Sequence, residues 1–171
     1  MNILLRKCIS FVRIPFREKL WLFWLFLLSG LIRACLLVLP FRCIAPWLGL
    51  HHQNYQLASV TSEQQKLMAW RIGRITELAA SYTPWQSKCL VQAMAAKVLL
   101  AHYRIPYVLH LGVTKAAGQS FDALKAHAWL SVGPWIITGR EGHRAFTIIS
   151  TFVAPSILNP GTASCHKLHA D

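Results

Sequence analysis

Carboxylates are scarce in this chain. Six occur in 171 residues (Glu18, Glu63, Glu77, Asp122, Glu141 and Asp171) against 18 lysines and arginines, for a formal net charge of +12. Such a balance favours anionic partners: nucleic acid, an anionic membrane face or an acidic peptide. No nucleic-acid-binding signature accompanies the charge, which leaves the last two as the expected partners. Paired cysteine motifs are also missing. The five cysteines (Cys8, Cys35, Cys43, Cys89, Cys165) are odd in number, form no CxxC and follow no convincing cleavable signal. Free thiols in a reducing, cytoplasmic compartment are therefore expected rather than a disulfide framework. No cysteine and histidine pairs fall at metal-ligand spacing. The close pairs His51-His52 and His166/His169 lack supporting ligands, so no metal and no cofactor is expected. No internal repeat occurs.

What the chain has in surplus is apolar residues, 54% of the total, concentrated near the N-terminus. Its length suits one domain with a small extra element. Three segments are expected: a basic and apolar N-terminal helical segment over 1–60, a catalytic domain over 61–153, and a flexible tail over 154–171. Residues 20–39 contain LWLFWLFLLSGLI, then Arg33, then ACLLVL. The run is long enough to span a membrane, with basic residues before it, but Arg33 would then sit in hydrocarbon. Its uninterrupted apolar part is thirteen residues, which equally suits a buried helix or an interfacial anchor at the inner membrane face.

Residues 41–62 read as loop and short turns. Thr61 or Ser62 can cap a helix from about 63 to 81, where Leu67, Trp70, Ile75 and Leu78 recur at helical spacing. A second helix runs from Trp85 to about Tyr103, with Cys89 in its first turn or so. After Pro106 the chain turns to strand character: 107–115, 125–132, 135–138 across a Gly133-Pro134 turn, and 146–152. Helices followed by three or four antiparallel strands make an α+β arrangement.

A thiol is a useful nucleophile only as its thiolate, and a helix N-terminus favours that anion. Cys89 has this placement. The thiol needs an imidazole to take its proton. His127 lies mid-strand in Ala-His-Ala-Trp, on one face with Lys125 and Trp129. Nucleophile on a helix start, then base on an antiparallel strand, is the papain-like order. Each residue alone also fits a bland role: Cys89 as a small buried helix residue, His127 as a core histidine.

The segments TPWQSKCLVQAMAAKVLLAHYRIPYVLHLGV, KAHAWLSVG and IITGREGHRAFTII, with FREKLWLFWLFLLSGLIRACLLVLPF before them, carry a resemblance. Over roughly residues 16–153 the chain resembles the transglutaminase-like leader peptidases of lasso-peptide biosynthesis, related to the C-terminal half of the microcin-processing protein. The most specific matches are Trp85 with Ser87-Lys88-Cys89-Leu90, and Ala126-His127-Ala128-Trp129. The resemblance implies a transglutaminase-like, papain-like cysteine-protease core. Its reaction would be hydrolysis of one peptide bond in a ribosomally made precursor, freeing the core peptide for an ATP-dependent, asparagine-synthetase-like cyclase. A leader-recognition domain precedes the protease in fused relatives. At 171 residues it is not expected here, so a separate recognition protein is the expected partner.

The family's third catalytic residue is an aspartate downstream of the histidine, yet no Asp lies between His127 and Asp171. Glu141 is the carboxylate in that region and is also placed as an exposed turn residue. Asp122, a dyad, or an amide or hydroxyl such as Thr138 are the alternatives. The Cys89 backbone N–H is the expected oxyanion donor, with Gln86, Ser87 or Trp85 supplying the second. Two other functions use the same features. One is a non-catalytic, membrane-associated, peptide-binding subunit; the other is an acyltransferase with the same Cys/His pair.

Overall fold

The protein is described by a computed structural model, covering residues 15–52, 61–84, 88–115 and 124–158. Helix α1 spans Phe16–Val38. Pro15 sets its start, and Leu39, held extended before Pro40, ends it. Helix α2, Phe41–Leu48, follows at once and contains Pro46. It occupies a stretch expected to be loop: Pro40 pre-sets the entry backbone, and Ile44 and Leu48 bury one side of the two turns. Strand β1, Leu50–His52, comes next and was likewise not expected. Gly49 stands between them at φ 137°, where a Cβ would lie 2.6 Å from the Val153 carbonyl oxygen. Only glycine lets β1 approach the sheet so closely.

Helix α3 runs over Glu63–Tyr82. Ser62 caps it: its hydroxyl accepts from the Gln65 N–H while the Gln65 side chain accepts from the Ser62 N–H. This reciprocal box fixes the helix start that the sequence left between Thr61 and Ser62. Helix α4 is Cys89–His102. Strands β2 (Val108–Lys115), β3 (Leu124–Val132), β4 (Trp135–Thr138) and β5 (Thr147–Val153) follow, with a 3-10 turn at His143–Ala145 before β5. A short helix α5, Pro155–Leu158, begins the segment expected to be a tail. The strands form one antiparallel sheet in the order β1-β5-β2-β3-β4. The α+β fold is thus as the sequence implied, with β1 added at one edge.

Cross-strand partners share a face of a sheet. Leu109 pairs with Leu130 and with Phe152, and Leu111 with Ala128. These side chains join Ala69, Ile72 and Ile75 of α3 and Ala93, Ala96 and Leu100 of α4 in one core. Helix α1 closes that core from outside with Trp21, Leu22, Leu25 and Ile32. Of the alternatives the sequence left for the N-terminal segment, the buried helix packed on the domain describes the inner side of α1. Its apolar residues are interior to the same core, and polar bonds reinforce the join. The Trp21 indole donates to Tyr103 Oη at 3.0 Å, and Tyr107 Oη, buried, donates to the Leu48 carbonyl at 3.3 Å. Burial pushes the Tyr107 phenol up to about 12. The Lys97 ammonium donates to the Trp47 carbonyl, and burial lowers its pKa.

Leu25 is 1% exposed and Leu27, half a turn away, 47%. Leu25→Ala should therefore cost about 2–5 kcal/mol, whereas Leu27→Ala should stay within about 0.5 kcal/mol. Equilibrium urea unfolding measures both. Equal small effects would mean that α1 is not part of the cooperative unit.

Candidate active site

Cys89 is the first residue of α4. Lys88 occupies the N-cap and makes no side-chain capping bond, so the first-turn N–H groups are not satisfied by a side-chain cap. The helix dipole and these donors favour negative charge at that end. The thiol is half-buried, packed on the rim of the core, and the described residues offer it no hydrogen bond.

The C-terminal end of α4 is tied to the start of β2: Ile105 N–H bonds the Leu100 carbonyl, and Val108 pairs with Ser131 of β3. The fourteen helical residues cover about 20 Å, and the nine residues of β3 about 30 Å. Helix α4 packs on β3, so Cys89 opens a helix that adjoins the strand bearing His127.

His127 is clamped on three sides. Its ring stacks on Trp129 at 5.9 Å between centroids and lies 5.0 Å from Phe146. Its Nε2 is 2.9 Å from the Gly139 carbonyl oxygen. A carbonyl can only accept, so Nε2 carries the proton and Nδ1 of the neutral ring is left as the acceptor. A backbone carbonyl at the turn after β4 thereby fixes the tautomer and orientation that a carboxylate was expected to fix. Glu141 is exposed and makes no hydrogen bond or ion pair among the described residues. The Thr138 hydroxyl, the other alternative in this stretch, is buried without a partner and does not reach the ring. Asp122 and the oxyanion candidates Trp85, Gln86 and Ser87 lie outside the described residues.

Two glycines shape the clamp. Gly112 pairs with His127 across the sheet, and a Cβ there would stand 2.9 Å from both the Trp129 ring and the Phe146 Cβ. Gly139, at φ 71°, turns the chain so that its carbonyl faces the ring. A Cβ at that position would meet the Ala128 oxygen at 2.4 Å. Neither glycine was singled out in the sequence, nor were His110 and Phe146. His110 pairs with Trp129 and Thr151, its Nδ1 3.2 Å from the Thr151 hydroxyl. The alternation of His110 and Gly112 in β2 was the available signal.

The register also sets a constraint. His127, Trp129 and His110 leave the sheet on the face opposite Ala128 and Leu130, which pack beneath the helices. The imidazole is therefore outside the helix–sheet interface, and no hydrogen bond joins it to Cys89. Strand β4 pairs with β3 only from Leu130 to Val132. From Trp129 toward Leu124 that flank of β3 carries no described strand, and Gly139 bends away beside it.

Burial lowers the pKa of His110 below its ordinary 6.5. The unfolded chain then binds the proton first on acidification, so the stability this neutral ring contributes is present above about 6.5 and is lost as pH falls below it. Thermal unfolding between neutral and mildly acidic pH should show a shallower loss of stability in His110→Gln than in the parent. An unchanged slope would show that His110 titrates normally.

A protein-family comparison matches residues 35–151 to the transglutaminase-like superfamily. Comparisons with curated proteins and with solved structures give no match. The transglutaminase-like fold is compatible with cysteine-protease or acyltransferase chemistry, and both need a thiol and an imidazole. A family match over more than half the chain, on a fold with a cysteine opening a helix and a clamped histidine on the adjoining strand, makes this protein a member of the transglutaminase-like superfamily.

Proposed function

We propose that the protein is a cytoplasmic cysteine peptidase that removes the leader from a ribosomally made lasso-peptide precursor. The observation that carries this reading is the His127 ring, proton fixed on Nε2 by the Gly139 carbonyl and Nδ1 left to accept. With Cys89 at the start of the helix packed on the same strand, these are the parts of a thiol–imidazole site. The reading requires the Cys89 thiol to reach the His127 ring around the flank of β3 between Trp129 and Leu124, where no strand is described.

In the proposed reaction the Cys89 thiolate attacks the scissile carbonyl. The His127 imidazolium gives its proton to the leaving amine as the C–N bond breaks. A water, deprotonated by His127, then hydrolyses the thioester and restores the thiol. The Cys89 N–H and one donor from Trp85, Gln86 or Ser87 would hold the oxyanion. A groove lined by Trp70, Trp135, Arg140, His143 and Arg144 opens beside the site. Its aromatic and basic lining suits an acidic or apolar peptide segment. A separate leader-recognition protein would deliver the precursor, and an asparagine-synthetase-like cyclase would take the freed core.

Family membership favours acyl transfer as the second reading, with the same residues and an amine in place of water. Product masses separate the two, since hydrolysis adds water and transfer adds the amine.

Cys89→Ala and His127→Ala should each lower leader cleavage by on the order of 10³-fold or more in the reconstituted system, with the fold intact by circular dichroism. Full cleavage by Cys89→Ala would end the peptidase reading. Glu141→Gln should leave the rate within about twofold, because the carbonyl and not the carboxylate orients the ring. A large loss in that variant would restore Glu141 as the third residue.

A further inference from the structure

Helix α1 carries two apolar stripes. The inner one, Trp21, Leu22, Leu25 and Ile32, is buried against the core. The outer one is Leu20, Phe23, Trp24, Leu27 and Leu31, each between 47% and 62% exposed. Steps of three and four residues align the outer five along a single side of the helix. After Pro40, α2 extends the surface with Phe41 at 45% and Trp47 at 68% exposure. Scattered apolar residues are ordinary on a surface; a continuous strip with two indoles is a contact site.

The charges around the strip have one sign. Arg17 and Arg42 are exposed toward its two ends, and Arg33 is half-buried between them. Glu18 is the one acid in residues 15–52. Arg6, Lys7 and Arg13 precede the helix in sequence. An anionic surface complements this pattern, and indoles settle at the headgroup level of a bilayer.

Length alone would let α1 cross a membrane: it has 23 residues and an 18-residue window of mean hydropathy 2.1. Its inner stripe forbids that. Helix α3 packs on it and bears Glu63, Lys66, Arg71, Arg74 and Glu77. A spanning α1 would drag these charges into hydrocarbon.

We propose that α1 lies in the plane of an anionic membrane surface. Its outer stripe and Trp47 enter the headgroup boundary, while the sheet and the candidate site stay in water. With its inner side held by the core, the helix has an apolar outer stripe and flanking cations to offer a membrane surface. The claim is independent of the reaction catalysed.

Flotation of the full chain with phosphatidylglycerol-containing vesicles and with pure phosphatidylcholine vesicles tests it. Binding should be stronger to the anionic vesicles and should weaken as salt is raised. Lipids brominated near the headgroup should quench tryptophan fluorescence more than lipids brominated near the chain end, and Trp24→Phe should reduce that quenching. The double variant Phe23→Ser/Leu27→Ser spares the inner stripe and should bind at least about tenfold more weakly, with unchanged thermal unfolding. Equal binding to both vesicle types, or stronger deep quenching, would overturn the proposal. So would absent vesicle binding together with a dimer that the double variant converts to monomer, which would assign the strip to a second copy of the chain.

Discussion

The packing of α4 along β3 is the contact on which the rest of the molecule depends. Small residues are prominent in both elements: Ala93, Ala95 and Ala96 of the helix and Ala128 of the strand are all buried. Small side chains allow close backbone approach, and their good helix propensity keeps α4 straight without bulk. This contact sets the helix that Cys89 opens against the strand that bears His127.

The two faces of the sheet do different work. The helix side is apolar and continuous, from Leu109 and Leu130 through α3 and α4 to α1. The other side holds a row of rings: His110, Trp129, His127 and Phe146, with His143 beside Trp129. An imidazole held between two aromatic rings, with one nitrogen bonded to a carbonyl, has little rotational freedom. That rigidity is what general acid–base chemistry requires, since proton transfer fails when donor and acceptor wander. Among the described residues it is reached without a carboxylate. A carbonyl orients the ring as well as an acid does, but it would supply only a dipole to the imidazolium of the proposed reaction.

The placement of α1 links stability to location. A single apolar helix with one side in the core and the other in solvent serves two surfaces at once. Its inner stripe belongs to the cooperative fold. Its outer stripe is half-exposed, and it is the side proposed to meet a bilayer. The charge of the chain, +12, acts in the same direction as the hydrophobic strip at an anionic surface.

Much was legible in the residues. Helical spacing gave α3, a Pro-bounded Ala- and Leu-rich run gave α4, and the Gly133-Pro134 turn gave the β3–β4 hairpin. Cys89 at a helix start and His127 on a strand followed from local pattern, because capping, propensity and alternation act over a few neighbours. Helix α2 and strand β1 were missed, since Pro and Gly punctuation resembles a loop until burial against the core and pairing with β5 are known. The role of Gly139 was not legible at all: a backbone carbonyl has no letter of its own, and its reach to a ring twelve residues away is set by a left-handed turn. Which face of the sheet carries His127, and whether α1 stands apart or closes the core, were likewise decided only by strand register and helix packing. Those are long-range agreements among many side chains, and no local stretch of sequence contains them.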